Sequence, residues 1–289
     1  MIFLHWDDCR GFPTVIERTA KQGLFDPHGT FWRVNRESVL LVAGATALLL
    51  QVAHPKIAAG VTDHSDFRER PLRRLYRTIK VMQGIIYGDR ESALASTAGV
   101  LQIHTRINGH LKESTSLFET GAAYSAEDPE LVLWVYATLI DTMLRAYSTF
   151  VQPLTYAESQ AFYRESRTIA ILFGAGDELV PPTLDAFREY FDEMVTGPTL
   201  EITPTARSVA ADIIHPPIRG VPDVLGDLAS IPALALLPEQ LRERYGFKWD
   251  RKREVIWRLS RRVIRRGLPL VPKFARVNSG ARRAEKRLR

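Results

Sequence analysis

The chain has 289 residues, of which 45% are hydrophobic and 25% charged, so it is long enough to bury a substantial core. Cys9 is the only cysteine, which excludes an intramolecular disulfide, a cysteine zinc cluster and an iron–sulfur site, and favours a reducing cytoplasm. The first residues, MIFLHWDD, lack the basic and apolar regions of a secretory signal, and no linker or fixed-period repeat divides the chain. We therefore expect one globular, cytoplasmic domain.

An uncharged apolar run extends from Ser38 to Ala53, between Glu37 and His54. It is shorter than the roughly 20 residues that a membrane-spanning helix needs. We therefore interpret it as a central helix that other helices bury on all sides.

Two consecutive helices are predicted next, over residues 71–88 and 90–111. Arg74, Arg77 and Thr78 share one face of the first helix with apolar residues, because positions three and four apart lie above one another. In the second helix, His104 lies in the middle of an apolar stripe and is expected to be buried. The stripe consists of Thr97, Val100, Leu101, His104, Ile107 and Leu111.

Three later helices have recognisable ends. Asp128-Pro129-Glu130 combines an N-cap, a proline at the first helical position and an acidic first turn, and predicts a helix to about residue 150. A second helix is predicted from about Thr155 to Gly174, which suits a C-terminal glycine cap. Pro181-Pro182 opens a third, which ends at residue 197. The chain is thus predicted to be an all-α fold.

Two features of the C-terminal part differ from this pattern. The segment from Ile214 to Pro238 is rich in proline, and we predict that it does not form a long helix. Residues 251–289 contain fifteen Lys or Arg against two Glu, a net charge of +13 that leaves −7 for the first 250 residues. This is either a solvated basic tail or a surface for an anionic membrane or for nucleic acid. Apolar residues among its arginines predict an amphipathic helix that could lie on a membrane. They are Trp257, Leu259, Val263, Ile264 and Leu268.

His104, Arg74 and Arg77 each have a structural and a functional interpretation. A buried histidine is more often a hydrogen-bonded core residue than a metal ligand. A buried arginine usually pairs with a carboxylate, here Asp63, Asp66 or Asp141. Their combination favours a cofactor, because a neutral imidazole suits iron, and fixed cations and a hydroxyl suit the carboxylate arms of a haem and bound oxygen.

Several motifs occur in an order that resembles a known family. They are the run from Leu48 to Val61, the segment Asp63-His-Ser-Asp-Phe67, Arg74-Leu-Tyr-Arg-Thr78, His104 within Gln-Ile-His-Thr-Arg-Ile-Asn-Gly109, and the run from Tyr124 to Trp134. Over about Asn35 to Met194, the chain resembles the family that contains the latex-clearing rubber oxygenase and the MpaB oxygenase.

The resemblance implies an all-α fold around a b-type haem, with His104 as the axial ligand of the iron and O2 as co-substrate. The family's distal helix is represented by Arg74, Arg77 and Thr78, which are then candidates to contact the haem, and Arg74 and Thr78 candidates for catalysis. The rubber oxygenase has a lysine at the middle position that can ligate iron. Arg77 is protonated and has no lone pair to offer, so a lysine-capped iron is not expected here.

The glutamate that the rubber oxygenase uses as a base has no position that we can match. His64 is a candidate for this catalytic role, and His54 for a place beside the cofactor, because a histidine transfers protons near neutral pH. The structural alternative is that His54-Pro55 ends the apolar helix and that His64 caps the next.

By this analogy the protein oxidises or cleaves a double bond of a lipophilic, terpenoid or polyprenyl-like substrate. We expect an N-terminal extension over residues 1–34, the haem-binding oxygenase domain over 35–250, and a basic C-terminal helix or tail over 251–289 that packs on this domain or extends from it. The alternative is a non-catalytic haem- or lipid-binding protein, located in the cytoplasm at the inner surface of the membrane by its basic tail. Nucleic-acid binding ranks last, because no recognition motif accompanies the charge.

Overall fold

The computed structural model describes residues 23–65, 71–216 and 223–289. Fourteen α-helices and one two-stranded antiparallel hairpin occur in these ranges, so the predicted all-α fold is confirmed. The helices are α1 (Thr30–Asn35), α2 (Gly44–Val52), α3 (Pro55–His64), α4 (Pro71–Tyr87), α5 (Arg90–His104), α6 (Pro129–Phe150), α7 (Tyr156–Leu172), α8 (Leu184–Thr196), α9 (Pro204–Ile214), α10 (Asp223–Leu236), α11 (Glu239–Tyr245), α12 (Arg251–Gly267), α13 (Lys273–Arg276) and α14 (Ser279–Arg287). The strands are β1 (Asn108–His110) and β2 (Ala123–Ser125).

The core is built around α6, which packs on α2, α7 and α12. Trp134 of α6 is fully buried, donates a hydrogen bond from Nε1 to the Leu50 carbonyl of α2 (3.1 Å), and stacks on Phe191 of α8 with ring centroids 5.6 Å apart. The hydroxyls of Tyr136 and Ser166 join α6 to α7 across 2.8 Å. These buried polar groups are thus hydrogen-bonded, as burial demands, whereas the buried hydroxyl of Thr142 in α6 has no hydrogen-bond partner.

The predicted starts of α6 and α7 are confirmed by their caps. Asp128 accepts a hydrogen bond from the Glu130 amide, with proline at the first turn. Thr155 forms a reciprocal capping box with Glu158, and Gly174 after the end of α7 has a φ of +92°. The third helix begins later than predicted, at Leu184, because Thr183 and not the proline pair supplies the N-cap.

Two predictions about helices were wrong. The run Ser38 to Ala53 is not one buried helix: residues Ser38–Ala43 form a 3₁₀ helix that leaves Leu41 and Val42 exposed, and α2 follows as a separate helix whose Leu49 and Leu50 are fully buried. The proline-rich segment does contain a helix, α10, with Pro232 inside it. The carbonyl that Pro232 leaves unbonded in the α-helical pattern is that of Leu228, an exposed residue, so water can solvate it.

The C-terminal residues pack on the rest of the chain. Trp257 of α12 meets Phe150 of α6 edge-on, with ring centroids 5.7 Å apart. Arg276 donates from Nε to the carboxylate of the buried Glu37 (2.8 Å), and α14 packs on α4. Among the described residues, no single helix is long and apolar enough to cross a membrane. The segments Ser38–Val52 and Pro55–His64, bent by 111° relative to each other, reach the length and apolar composition of a membrane span only when they are taken together.

Candidate active site

His104 lies in the last turn of α5, at the edge of the core. It was predicted to lie mid-helix, but α5 ends there because the Thr105 and Ile107 amides turn back to Leu101 and His104 and the chain continues into β1. The ring is partly buried, 6.2 Å from the ring of Phe173 between centroids. Its Nδ1 is buried without a hydrogen-bond partner, the sole ring nitrogen of the described histidines in that state.

The protonation of His104 follows from this position. Burial lowers the pKa of the imidazole from its ordinary value of 6.5, and the charge of Glu127 opposes the shift. The neutral form, which offers a lone pair to a metal, therefore predominates at neutral pH.

The helices α4 and α5 pack closely at one end and leave the other end open. A Cβ on Gly84 would lie 2.5 Å from the Ser96 hydroxyl oxygen, so this glycine permits the close approach of the two helices. Towards the opposite end the side chains of Leu75, Tyr76 and Ile103 are exposed. His104 is the last residue of α5 at this open end.

The three predicted residues of α4 also lie towards the open end. Arg74 is partly buried, whereas Arg77 and Thr78 are exposed. The carboxylates proposed to pair with these arginines have other partners: Asp63 pairs with Lys112, and Asp141 with Arg145. The third, Asp66, lies outside the described residues. The structure thus brings His104, Arg74, Arg77 and Thr78 together only to the extent that their helices pack on each other.

His64 belongs to a polar network beside the strand that follows α5. Its Nε2 lies 3.0 Å from the Asn108 carbonyl of β1, and its ring meets that of Tyr124 edge-on. Asp63 accepts hydrogen bonds from Lys112 and from the Tyr124 hydroxyl (2.8 Å), and the first of these lowers the pKa of Asp63 most. Burial and the hydrogen bond to Asp63 raise the pKa of Tyr124 to about 12. His64 itself is exposed.

His54 lies at the other end of α3, about 15 Å from His64 at about 1.5 Å per residue. It is buried, caps the helix by accepting a hydrogen bond at Nδ1 from the Lys56 amide (3.3 Å), and packs against Phe118. Burial, assisted by the charge of Lys56, lowers its pKa to about 4. The apolar helix α2 ends just before His54, as the structural alternative for this residue had it, but it is His54 and not His64 that caps the next helix. These contacts do not join His54 to α4 or α5.

Comparisons with known proteins place the chain in a family. The model of the family described as "ER-bound oxygenase mpaB/B'/Rubber oxygenase, catalytic domain" matches residues 32–266. The chain belongs to this oxygenase family. Two uncharacterized mycobacterial proteins, from Mycobacterium bovis and Mycobacterium tuberculosis, are each 24% identical over 237 residues, which cover 79% of this chain and 88% of the relative. No solved structure matches significantly.

The residues of this MpaB/rubber oxygenase family member suit a haem better than a free metal ion. In the described ranges no three His, Cys, Asp or Glu side chains group closely enough to hold a metal ion. A haem brings four equatorial ligands of its own and needs only one axial side chain from the protein. The buried, unpartnered Nδ1 of His104 and the open end of the α4–α5 pair fit that requirement.

Three residues near the candidate site were not anticipated from the sequence. Phe173 packs against His104, and the negative charge of Glu127 raises the pKa of His104 against the effect of burial. Tyr124 of β2 donates a hydrogen bond to Asp63. Tyr124 and Glu127 lie in or beside the family-like run from Tyr124 to Trp134, which was a usable signal. Phe173 stands at the end of α7, 69 residues after His104, and no local pattern joins the two.

Proposed function

We propose that this oxygenase-family protein binds a b-type haem through His104 and uses O2 to oxidise a lipophilic small molecule, with cleavage of a terpenoid or polyprenyl-like double bond as the reaction. The observation that carries the proposal is the His104 imidazole, which is neutral, partly buried and unpartnered at Nδ1. Leaving such a nitrogen unbonded costs about 1–3 kcal/mol. A ligand at this ring would offset that cost.

The haem, when bound, supplies the chemistry that activates O2. The chain's own residues would hold and orient this group: the imidazole of His104 would bind it, with the ring of Phe173 beside that imidazole. Arg74 and Arg77 would provide positive charge for anionic side arms or for developing negative charge, and Thr78 a hydroxyl donor. Because Arg77 and Thr78 are exposed, a bound group would cover them without displacing packed core residues.

The open end of α4 and α5 also supports the substrate class. Leu75 and Tyr76, which follow Arg74, and Ile103, which precedes His104, have exposed apolar side chains. Exposed apolar side chains that are grouped on one part of a surface are typical of binding sites for apolar ligands. A lipophilic chain would bury this surface.

Arg77 favours a second candidate, a haem- or lipid-binding protein without oxygenase activity. The guanidinium cannot ligate iron. His64, the candidate base, is exposed and already contacts the Asn108 carbonyl. This protein would show the haem spectrum but no O2 consumption.

The test is the visible spectrum of the purified protein, oxidised and reduced, with a pyridine haemochrome assay before and after addition of haemin. We expect a Soret band at near one haem per chain, and a loss of about tenfold or more in retained haem for His104→Ala. His110→Ala is the matched control, because His110 is an exposed histidine of the neighbouring strand. Unchanged circular dichroism establishes that both variants fold.

Activity is then measured as O2 uptake with squalene as a polyprenyl probe. Uptake that requires His104 supports the oxygenase, and a haem spectrum without uptake supports the binding protein. A protein that takes up no haemin would contradict every haem-dependent function. Equal haemin binding by His104→Ala would contradict the role of His104 as the ligand.

A further inference from the structure

The outer face of α12 carries two parallel rows of side chains that nothing in the described part of the chain covers. Leu259 and Val263, one helical turn apart, are 54% and 70% exposed. Arg262 and Arg266 form the adjacent row and are also exposed. Neither arginine takes part in a hydrogen bond or ion pair among the described residues.

The segment that follows α12 adds two further exposed apolar side chains. Leu270 is 84% exposed and Phe274 is 69% exposed, and Lys273 stands between them in sequence. We call the set Leu259, Arg262, Val263, Arg266, Leu270 and Phe274 the α12 surface. Two such large apolar side chains are costly to expose to water, at about 25 cal/mol per Å² of apolar area.

The opposite side of α12 and the segment after it pack on the rest of the fold. Trp257 and Leu268 are buried on the opposite side of the helix, and Arg276 is fixed by its ion pair with the buried Glu37. The Asn278 amide donates a further hydrogen bond to the Arg36 carbonyl. The exposed residues therefore belong to a packed part of the fold and are not a free tail.

We propose that the α12 surface docks the protein on an anionic lipid bilayer, with Leu270 and Phe274 inserted at the headgroup boundary and Arg262 and Arg266 on the lipid phosphates. Apolar side chains beside rows of arginine are the arrangement by which an interfacial helix binds such membranes. Charge supports this orientation, since residues 251–289 carry +13 and the preceding 250 residues −7. The negative part of the chain is repelled by the same bilayer.

Two other occupants agree less well with the surface. A second copy of the chain would bring the same arginine rows together, and like charges oppose that contact. Nucleic acid would bind the arginines, but it gives no reason for the exposed aliphatic row and Phe274. Both are separate outcomes of the test.

The experiment is flotation of the full-length protein with vesicles of phosphatidylcholine, alone or with 30% phosphatidylserine. We expect binding to the anionic vesicles only. Arg262→Gln with Arg266→Gln should weaken it about 25-fold, at about 5-fold for each arginine near the surface. Leu270→Ser with Phe274→Ser should weaken it at least about tenfold.

Matched controls separate this surface from general effects of charge and hydrophobicity. Arg164→Gln with Arg188→Gln removes the same charge from exposed positions of α7 and α8. Leu117→Ser with Leu179→Ser removes two exposed leucines elsewhere. Neither control should change vesicle binding more than about twofold.

Insertion is measured directly with a fluorophore on a single cysteine. Because Cys9 is the only native cysteine, Cys9→Ser with Phe274→Cys can be labelled with a polarity-sensitive dye. We expect a blue shift on anionic vesicles, and none for Cys9→Ser with Leu117→Cys. Equal flotation with neutral and anionic vesicles would overturn the proposal, as would control variants that bind vesicles as weakly as the α12 variants. Association of copies through Leu270 and Phe274 without flotation would show that the surface is a contact between copies. Tighter binding to duplex DNA, unchanged by Leu270→Ser with Phe274→Ser, would show that it is a nucleic-acid site.

Discussion

The helices around α6 and the α4–α5 pair differ in how completely their side chains are packed. In the first region most side chains of α6 are buried, among them Trp134 and Tyr136, whose polar atoms are hydrogen-bonded to other helices. In the second, only the end near Gly84 and Ser96 is tightly packed, and the other end leaves Tyr76 and Ile103 exposed.

This difference separates the part of the chain that maintains the fold from the part that is available to a ligand. A core helix gains its stability from burial within the chain. The open end of α4 and α5 gains less from the chain itself, and it contains His104 with its unpartnered nitrogen. Changes in the two regions should therefore affect different measurements.

The largest effect on stability is expected for Trp134→Ala. It removes a fully buried ring, its stacking on Phe191 and its hydrogen bond to the Leu50 carbonyl. We expect a loss of about 3–5 kcal/mol in the free energy of unfolding, measured by urea denaturation. A change below about 1 kcal/mol would show that α6 is not the centre of the stable region.

Acid should destabilise the core through His54. Its pKa is about 4 in the folded protein and near 6.5 when unfolded, so between these values the unfolded chain binds one more proton. The free energy of unfolding should fall as the pH is lowered from 6.5 to about 4, by about 3 kcal/mol from this residue. His54→Asn, which retains a capping side chain, should lack that part of the dependence.

The comparison is made between unfolding curves of the two proteins at successive pH values. Above pH 7 the difference between the original protein and His54→Asn should be constant. A difference that is constant down to pH 4 as well would place the acid sensitivity elsewhere.

Hydrogen exchange should distinguish the open end of α4 and α5 from α6. Without haemin, we expect amides of residues 73–80 and 99–104 to exchange faster than those of α6. Haemin at about ten times its Kd should slow them by about tenfold, which corresponds to ~1.4 kcal/mol. His104→Ala should remove this protection, and protection that persists in the variant would separate haemin binding from His104.

The smallest effect on stability is expected for Ile103→Ser. The side chain is exposed, so the free energy of unfolding should change by less than about 0.5 kcal/mol. Uptake of a lipophilic substrate should nevertheless weaken, because apolar surface beside His104 is lost. A large loss of stability with unchanged uptake would mean that Ile103 is a packing residue.

Local sequence signals predicted some boundaries and missed others for physical reasons. The caps of α6 and α7 follow from short patterns around Asp128 and Thr155, and they are where the sequence indicated. The end of α5 was missed because Ile107 and Leu111 continue the apolar spacing, although the helix has already ended: Ile107 precedes β1 and Leu111 follows it. Periodicity reports that a residue is apolar, and it does not report which element covers it.

The candidate site was predictable only in part. His104, Arg74, Arg77 and Thr78 were selected from helical spacing and family motifs, and their helices do pack together. The contact of His104 with Phe173 and the ion pairs that occupy Asp63 and Asp141 depend on tertiary packing, which no local pattern encodes.

The central claim, that His104 is the axial ligand, is tested most directly by chemical rescue. His104→Gly leaves space for free imidazole at the position of the side chain, so a ligand role and a merely structural role give different spectra. The account predicts a lost or shifted Soret band for His104→Gly with haemin, and its restoration by added imidazole. A His104→Gly spectrum that coincides with that of the original protein and does not respond to imidazole would contradict it.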